Sequence, residues 1–350
     1  MSRIDFKFPI ITAFCAGLFP AFAFAQAQPL ITKPVGLITL TVNGTGGTQQ
    51  SAMTLAGLGL TQRALFQGTS TSIDTNSIVD TAAGWTDNQF NGVGNACYVE
   101  ITSGTNAGVL LDIASTTAST QTITTVQPIP TGTNIGDSFV IRQHWTIASV
   151  FGSRDQAGLF GGGGSTADQV LLYNGSSYDS YYYSTGGLAG TGWRKNGFGS
   201  TDQGGVVIYP DEGFLIIRKQ STPLNIRLMG SVKTGQTSTP IVPGVNLVGN
   251  IYAAPMTLAD SGLYTGSAIT GLADGSSTSA DQVQIWNPAI SGYDIYYYQT
   301  IGIGGSGWRK AGDQINDASA TSIPVGGAVI VNRKGATGFN WVIPQHPSTL

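Results

Sequence analysis

Histidine, glutamate and cysteine are scarce in this 350-residue sequence, two of each. The histidines are His144 and His346. A Ser-His-Asp triad or a histidine-ligated metal site needs a positioned imidazole, and so few disfavour both. The glutamates are Glu100 and Glu212. A glycosidase would therefore have to draw its carboxyl pair from aspartates, with Asp168, Asp179, Asp281 and Asp294 the candidates. Those four stand at equivalent places in two copies of one pattern. Matched positions suit a structural role better than one asymmetric acid/base couple. The expectation is a non-enzymatic protein with no catalytic residue, no metal site and no cofactor.

Charge is also scarce, at 10% of residues. The N-terminus reads as a secretory leader. Arg3 and Lys7 precede an apolar run from Phe8 to Phe24, and Ala23-Phe24-Ala25 gives the small-x-small cleavage pattern. Cleavage before Gln26 would remove Cys15 and leave Cys97 as the only thiol, excluding an intramolecular disulfide in the exported chain. It would also leave 14 basic and 18 acidic residues, a net charge of −4 and no nucleic-acid footprint. No later stretch approaches the ~18 apolar residues of a spanning helix. The expected location is periplasmic, cell-surface or extracellular.

What the chain has in abundance is glycine, with 49 residues, and short β-branched runs between turns. Leu37–Val42, Ala96–Ile101, Gln121–Val126 and Ser138–Arg142 carry strand signatures. Helix signal is nearly absent. Met53–Phe66 contains Gly57 and Gly59 and reads as loop with at most one helical turn.

The second half is written twice. Ala167-Asp168-Gln169-Val170, Tyr178-Asp179-x-Tyr181-Tyr182-Tyr183 and Gly192-Trp193-Arg194-Lys195 recur as Ala280-Asp281-Gln282-Val283, Tyr293-Asp294-x-Tyr296-Tyr297-Tyr298 and Gly307-Trp308-Arg309-Lys310. The offset is 113 up to Asn174/Asn287 and 115 from Tyr178/Tyr293 onward, so a two-residue insertion lies near Pro288–Gly292. Arg218-Lys219 and Arg333-Lys334 close the match. The predicted fold is all-β: a small N-terminal β-domain followed by two duplicated β-sandwich or β-roll repeats. The predicted boundaries are a leader over 1–25, the N-terminal domain over 26–142, repeats over 143–233 and 244–350, and a connector over 234–243. Alternation places Val170, Leu172, Val283 and Ile285 toward the core, and Tyr173 and Trp286 on the opposite face.

The candidate ligand-binding residues are Tyr181, Tyr183, Trp193 and Arg194, with Tyr296, Tyr298, Trp308 and Arg309 in the second copy. Aromatic faces flanked by hydrogen-bond donors suit sugar rings, which makes a polysaccharide or another envelope component the expected partner. The competing and favoured reading is structural. Arg194 would pair with Asp179 across a hairpin and lie on a tyrosine, and Trp193 would fill the gap between sheets.

The Gly84–Phe90 segment, the Val99–Gly104 segment, the strand entering Trp145 and the duplicated aspartate, tyrosine and Trp-Arg-Lys units resemble an uncharacterised family of secreted bacterial β-rich repeat proteins with no assigned activity. The resemblance covers most of the mature chain. It implies export and architecture, and it transfers no catalytic residue.

Overall fold

The computed structural model describes residues 34–344 except 48, 93 and 94. The leader and His346 lie outside the described residues. Within them the chain is all-β, as its turn-punctuated β-branched runs require. The first strands are β1 (Val35–Val42) and β2 (Ala52–Ala56). Next come β3 (Ala64–Thr69), β4 (Ser72–Asp74), β5 (Ser77–Val79), β6 (Cys97–Ile101), β7 (Leu110–Thr117), β8 (Thr122–Thr125) and β9 (Ser138–Gln143). The first copy of the sequence pattern holds β10 (Trp145–Thr146), α1 (Ile147–Phe151), β11 (Gln169–Tyr173), β12 (Tyr178–Thr185), β13 (Thr191–Lys195), β14 (Val207–Ile208), β15 (Phe214–Arg218) and β16 (Leu224–Ser231). The second holds β17 (Thr237–Ile241), β18 (Gly244–Gly249), β19 (Met256–Thr257), β20 (Gln282–Asn287), β21 (Gly292–Gln299), β22 (Gly307–Lys310), β23 (Ser322–Ile323), β24 (Ala328–Arg333) and β25 (Phe339–Ile343). The short α1 is set by a capping box in which the Thr146 and Ser149 side chains satisfy each other's backbone amides.

Two five-stranded sheets form the body. Their orders are β13-β12-β11-β15-β2 and β22-β21-β20-β24-β18. Their registers correspond as well. Val170 pairs with Tyr181 and Ile216 in the first, and Val283 pairs with Tyr296 and Val331 in the second. A two-stranded ribbon covers one face of each, β1-β16 over the first and β17-β25 over the second. The cores beneath bury Val170, Phe214 and Ile216 against Leu40, Ile226 and Leu228, and Val283, Val329 and Val331 against Ile241, Phe339 and Trp341.

The pairings differ from the sequence-derived limits in three places. Strands β1 and β2, from the predicted 26–142 segment, pair with β16 and β15. The stretch 64–143 makes its own seven-stranded sheet, ordered β3-β9-β6-β7-β8-β5-β4, with Trp85, Phe90, Val99, Ile101 and Phe139 in its core. It is spliced between strands that belong to the first five-stranded sheet. Met53–Phe66, expected as loop, contributes Met53–Ala56 to strand β2 and Ala64–Phe66 to β3, and part of the 234–243 connector is β17. Pro240 did not forbid that strand, because β25 is the one strand laddered to β17 and its other edge is engaged only at Ser238, whose N–H donates to Gly108 O at 3.0 Å.

The opposite faces of the two five-stranded sheets meet each other rather than solvent. Leu55 and Leu215 pack with Leu247, Ala328 and Ile330, and Leu171, Tyr173, Trp286 and Tyr293 border them. This explains why Phe214-Leu-Ile-Ile and Ala328-Val-Ile-Val are unbroken apolar runs: each strand is buried on both faces. At the seam, Gly57 N–H donates to Gly326 O at 2.9 Å and Gly249 N–H donates to Asp211 O at 2.9 Å. A Cβ on Gly57 would meet Gly327 O at 2.7 Å, and one on Gly249 would meet Glu212 O at 2.7 Å. Glycine is required at both for the backbones to touch.

Val170 and Val283 are fully buried. Replacing either with Asp should cost several kcal/mol, because an unpaired carboxyl enters an apolar core. Leu171→Gln should cost about 1 kcal/mol, since the side chain is half-buried in the inter-sheet layer. Chemical denaturation of the purified variants checks the order. A larger loss for Leu171→Gln than for Val170→Asp would invert the assignment of faces.

Candidate functional site

The fully buried Asp168 and Asp281 organise each five-stranded sheet. Asp168 immediately precedes β11. Its Oδ2 accepts from Arg218 Nη1 at 2.8 Å and from the Phe160 backbone N–H at 2.9 Å, and its Oδ1 accepts from the Lys219 N–H at 2.7 Å. Asp281 repeats the arrangement with Arg333 at 2.5 Å and with the Ala273 and Lys334 amides, both at 2.7 Å. Each arginine Nε then donates to a turn carbonyl, Thr222 at 2.7 Å or Thr337 at 3.0 Å. The carboxylate therefore ties the glycine-rich loop before one strand to the end of its neighbour. With its donors so engaged, this charge can stay buried.

The eight candidate ligand-binding residues fall beside this knot and mostly inside the protein. Trp193 and Trp308 are 1% and 3% exposed. Trp193 lies against Phe151 and Tyr183 and donates Nε1–H to Gly152 O at 2.8 Å. Trp308 packs on Tyr298, which stacks on Tyr264 at 3.4 Å between ring centroids. Tyr181 and Tyr296 are buried, and Tyr183 and Tyr298 are half-buried. Arg194 and Arg309 are buried as well and hold loop carbonyls: Arg194 donates to Ala189 and Thr191, and Arg309 to Gly304, Gly305 and Gln314. These indoles present no open ring face, so the cluster as folded fills a core and pins loops.

The partner expected for Asp179 was Arg194. It is Lys195, at 2.8 Å, and Lys310 matches it on Asp294 at 2.8 Å. Strand parity explains this correction. Tyr181 pairs with Lys195 and Tyr182 with Arg194, so Lys195 shares the face of Asp179 and Arg194 points the other way. Donating a hydrogen bond to Asp179 pushes the Lys195 ammonium pKa up, and donating to Asp294 does the same for Lys310.

Two polar clusters join the inserted sheet to the body, and neither followed from sequence spacing. Glu100, on β6, contacts Lys233 and accepts from Arg142 Nε at 3.0 Å, with all three side chains buried. Burial alone would raise the Glu100 pKa. Lys233 and Arg142 outweigh it and hold the carboxyl below the usual range. Asp112, on β7, contacts His144 Nε2 at 2.9 Å and accepts from Tyr209 Oη at 3.3 Å. His144 is buried between the Tyr98 and Tyr209 rings. These partners are 32 to 133 residues apart, a distance over which a single sequence carries no pairing signal. Cys97, the one cysteine among the described residues, is buried and its pKa is pushed up to about 11 by that burial.

Among the described residues no helix is long and apolar enough to cross a membrane. No protein-family model, no curated protein and no solved structure matches the chain.

Asp168→Ala and Asp281→Ala should each destabilise the protein by about 3–5 kcal/mol, because each strands a buried arginine. Equilibrium denaturation measures this, and a loss below about 1 kcal/mol would remove the knot from its structural role. Glu100 sets a pH limit. With a folded pKa below its unfolded value of about 4.3, its contribution is present above that value and is lost as pH falls toward the folded one. The acid side of a melting-temperature profile should therefore be shallower in Glu100→Gln than in the parent chain.

Proposed function

We propose that the protein is an exported, non-enzymatic, β-rich structural protein of the cell surface or envelope. One observation carries this reading: the chemistry-bearing side chains of the duplicated motifs are spent on internal contacts, in the same way in both sheets. Asp168 and Asp281 grip arginines, Asp179 and Asp294 grip lysines, and Arg194 and Arg309 hold loop carbonyls. Such a chain is built to persist without a disulfide, and ion pairs with buried aromatic layers supply the cross-bracing. The leader at the N-terminus and the resemblance to secreted β-rich repeat proteins support the same reading.

Fractionation of the native host tests it. The expected result is a protein in the envelope or medium that begins near Gln26 by mass spectrometry and is cleaved by protease added to intact cells. Recovery from the cytosol with Met1 retained would overturn the export reading.

A further inference from the structure

The inter-sheet layer ends in a rim of four aromatic rings. Tyr173 and Tyr178 stand at the β11–β12 hairpin end with centroids 5.3 Å apart, and Trp286 and Tyr293 stand at the β20–β21 end, 5.1 Å apart. Tyr173, Trp286 and Tyr293 border the same apolar layer. Burial, and then the Tyr178 phenol, push the Tyr293 hydroxyl pKa up. Unlike Trp193 and Trp308, these rings reach the surface: Tyr178 is 36% exposed, and the other three are half-buried.

An open hollow adjoins each side of the rim. The first, about 690 Å³, is lined by Tyr173, Asn174, Tyr209 and Glu212. The second, about 300 Å³, is lined by Trp286, Thr39, Thr41 and Asn43. No lysine or arginine lines either one, which disfavours phosphate, nucleic acid and acidic sugars. Among the described residues nothing hydrogen-bonds to the Glu212 carboxyl. Glu212 is exposed where it lines the first hollow, so its carboxyl can meet the hydroxyl groups of a ligand. Apolar ring faces with a few hydroxyl, amide and carboxyl groups beside them form the lining that an uncharged, ring-built ligand fits.

We infer that the two hollows and the aromatic rim between them form a cleft for an uncharged polysaccharide chain, with rings stacking on the rim and hydroxyls meeting Asn174 and Glu212. This goes beyond a structural role at the surface and stands without it, because it can be read on purified protein wherever the protein resides.

The test is calorimetric titration of the mature chain with cellohexaose, chitohexaose and maltohexaose, in parallel with Y178A/Y293A. Saturable binding of at least one hexaose is expected, weakened about tenfold or more in the double variant. The variant's melting temperature should stay within about 3 °C of the parent. If the double variant does not fold, E212A and Y178A singly replace it, with weakening expected in both. No saturable binding to any of the three sugars, or equal affinity in the rim variants, would overturn the proposal. A rim-dependent shift in sedimentation without sugar binding would overturn it too, in favour of self-association.

Discussion

The rest of the molecule depends on the meeting of two sheets face to face, with Gly57 and Gly249 permitting backbone contact at the seam. Sheets pack about 10 Å apart when side chains fill the space between them. Here leucine, isoleucine and alanine fill it, and at the seam Gly57 and Gly249 put no side chain between the backbones. Once those faces are committed to each other, the outward faces need cover, and the β1-β16 and β17-β25 ribbons supply it. Four layers and two outer cores follow from one contact. The ion-paired aspartates are the next requirement, since they join the loops before β11 and β20 to the ends of the neighbouring strands, where the Gly162 and Gly275 amides add single bonds to Tyr183 O and Tyr298 O.

Much of this was legible in the residues. Alternation in Val170-Leu-Leu and Val283-Gln-Ile identified the core-facing valines, and both are fully buried. The strands at Leu37–Val42, Ala96–Ile101, Gln121–Val126 and Ser138–Arg142 are present within a residue or two. What the alternation could not show is that the second face is also covered. A leucine facing another sheet and a leucine facing water occupy the same place in a period of two. The substitution of Leu171 by Gln284 suggested an outer face; both side chains are only half-buried, so a polar one is tolerated there.

The candidate cluster shows a different limit. Tyrosine, tryptophan and arginine are the residues of binding platforms and equally of dense cores. Composition and spacing do not separate the two, whereas burial does. Register also decided which basic residue met Asp179: one position along the strand exchanged Arg194 for Lys195. The inserted sheet is the third case. Strands β1 and β2 lie next to the β3–β9 stretch in sequence but hydrogen-bond to β16 and β15, 184 residues away for Thr41 and Asn225. Nothing in the local pattern of Val35–Ala56 announces so distant a partner.

Where the two sheets agree and where they diverge is itself informative. Positions that pin the frame are kept alike: Asp168 and Asp281, Arg218 and Arg333, Val170 and Val283, Trp193 and Trp308. The rim and the hollows are not. Tyr173 is answered by Trp286, Tyr209 by Pro324, and Glu212 by Gly327. A frame that needs the same bracing twice holds those positions fixed by packing and by the cost of an unpaired buried charge. The hollows carry no such load, so their linings are free to differ. The larger one acquires a carboxyl, and a tyrosine that reaches back to Asp112 in the inserted sheet. That hydrogen bond links the lining of one hollow to the inserted sheet, which gives two matching sheets an asymmetric pair of surfaces.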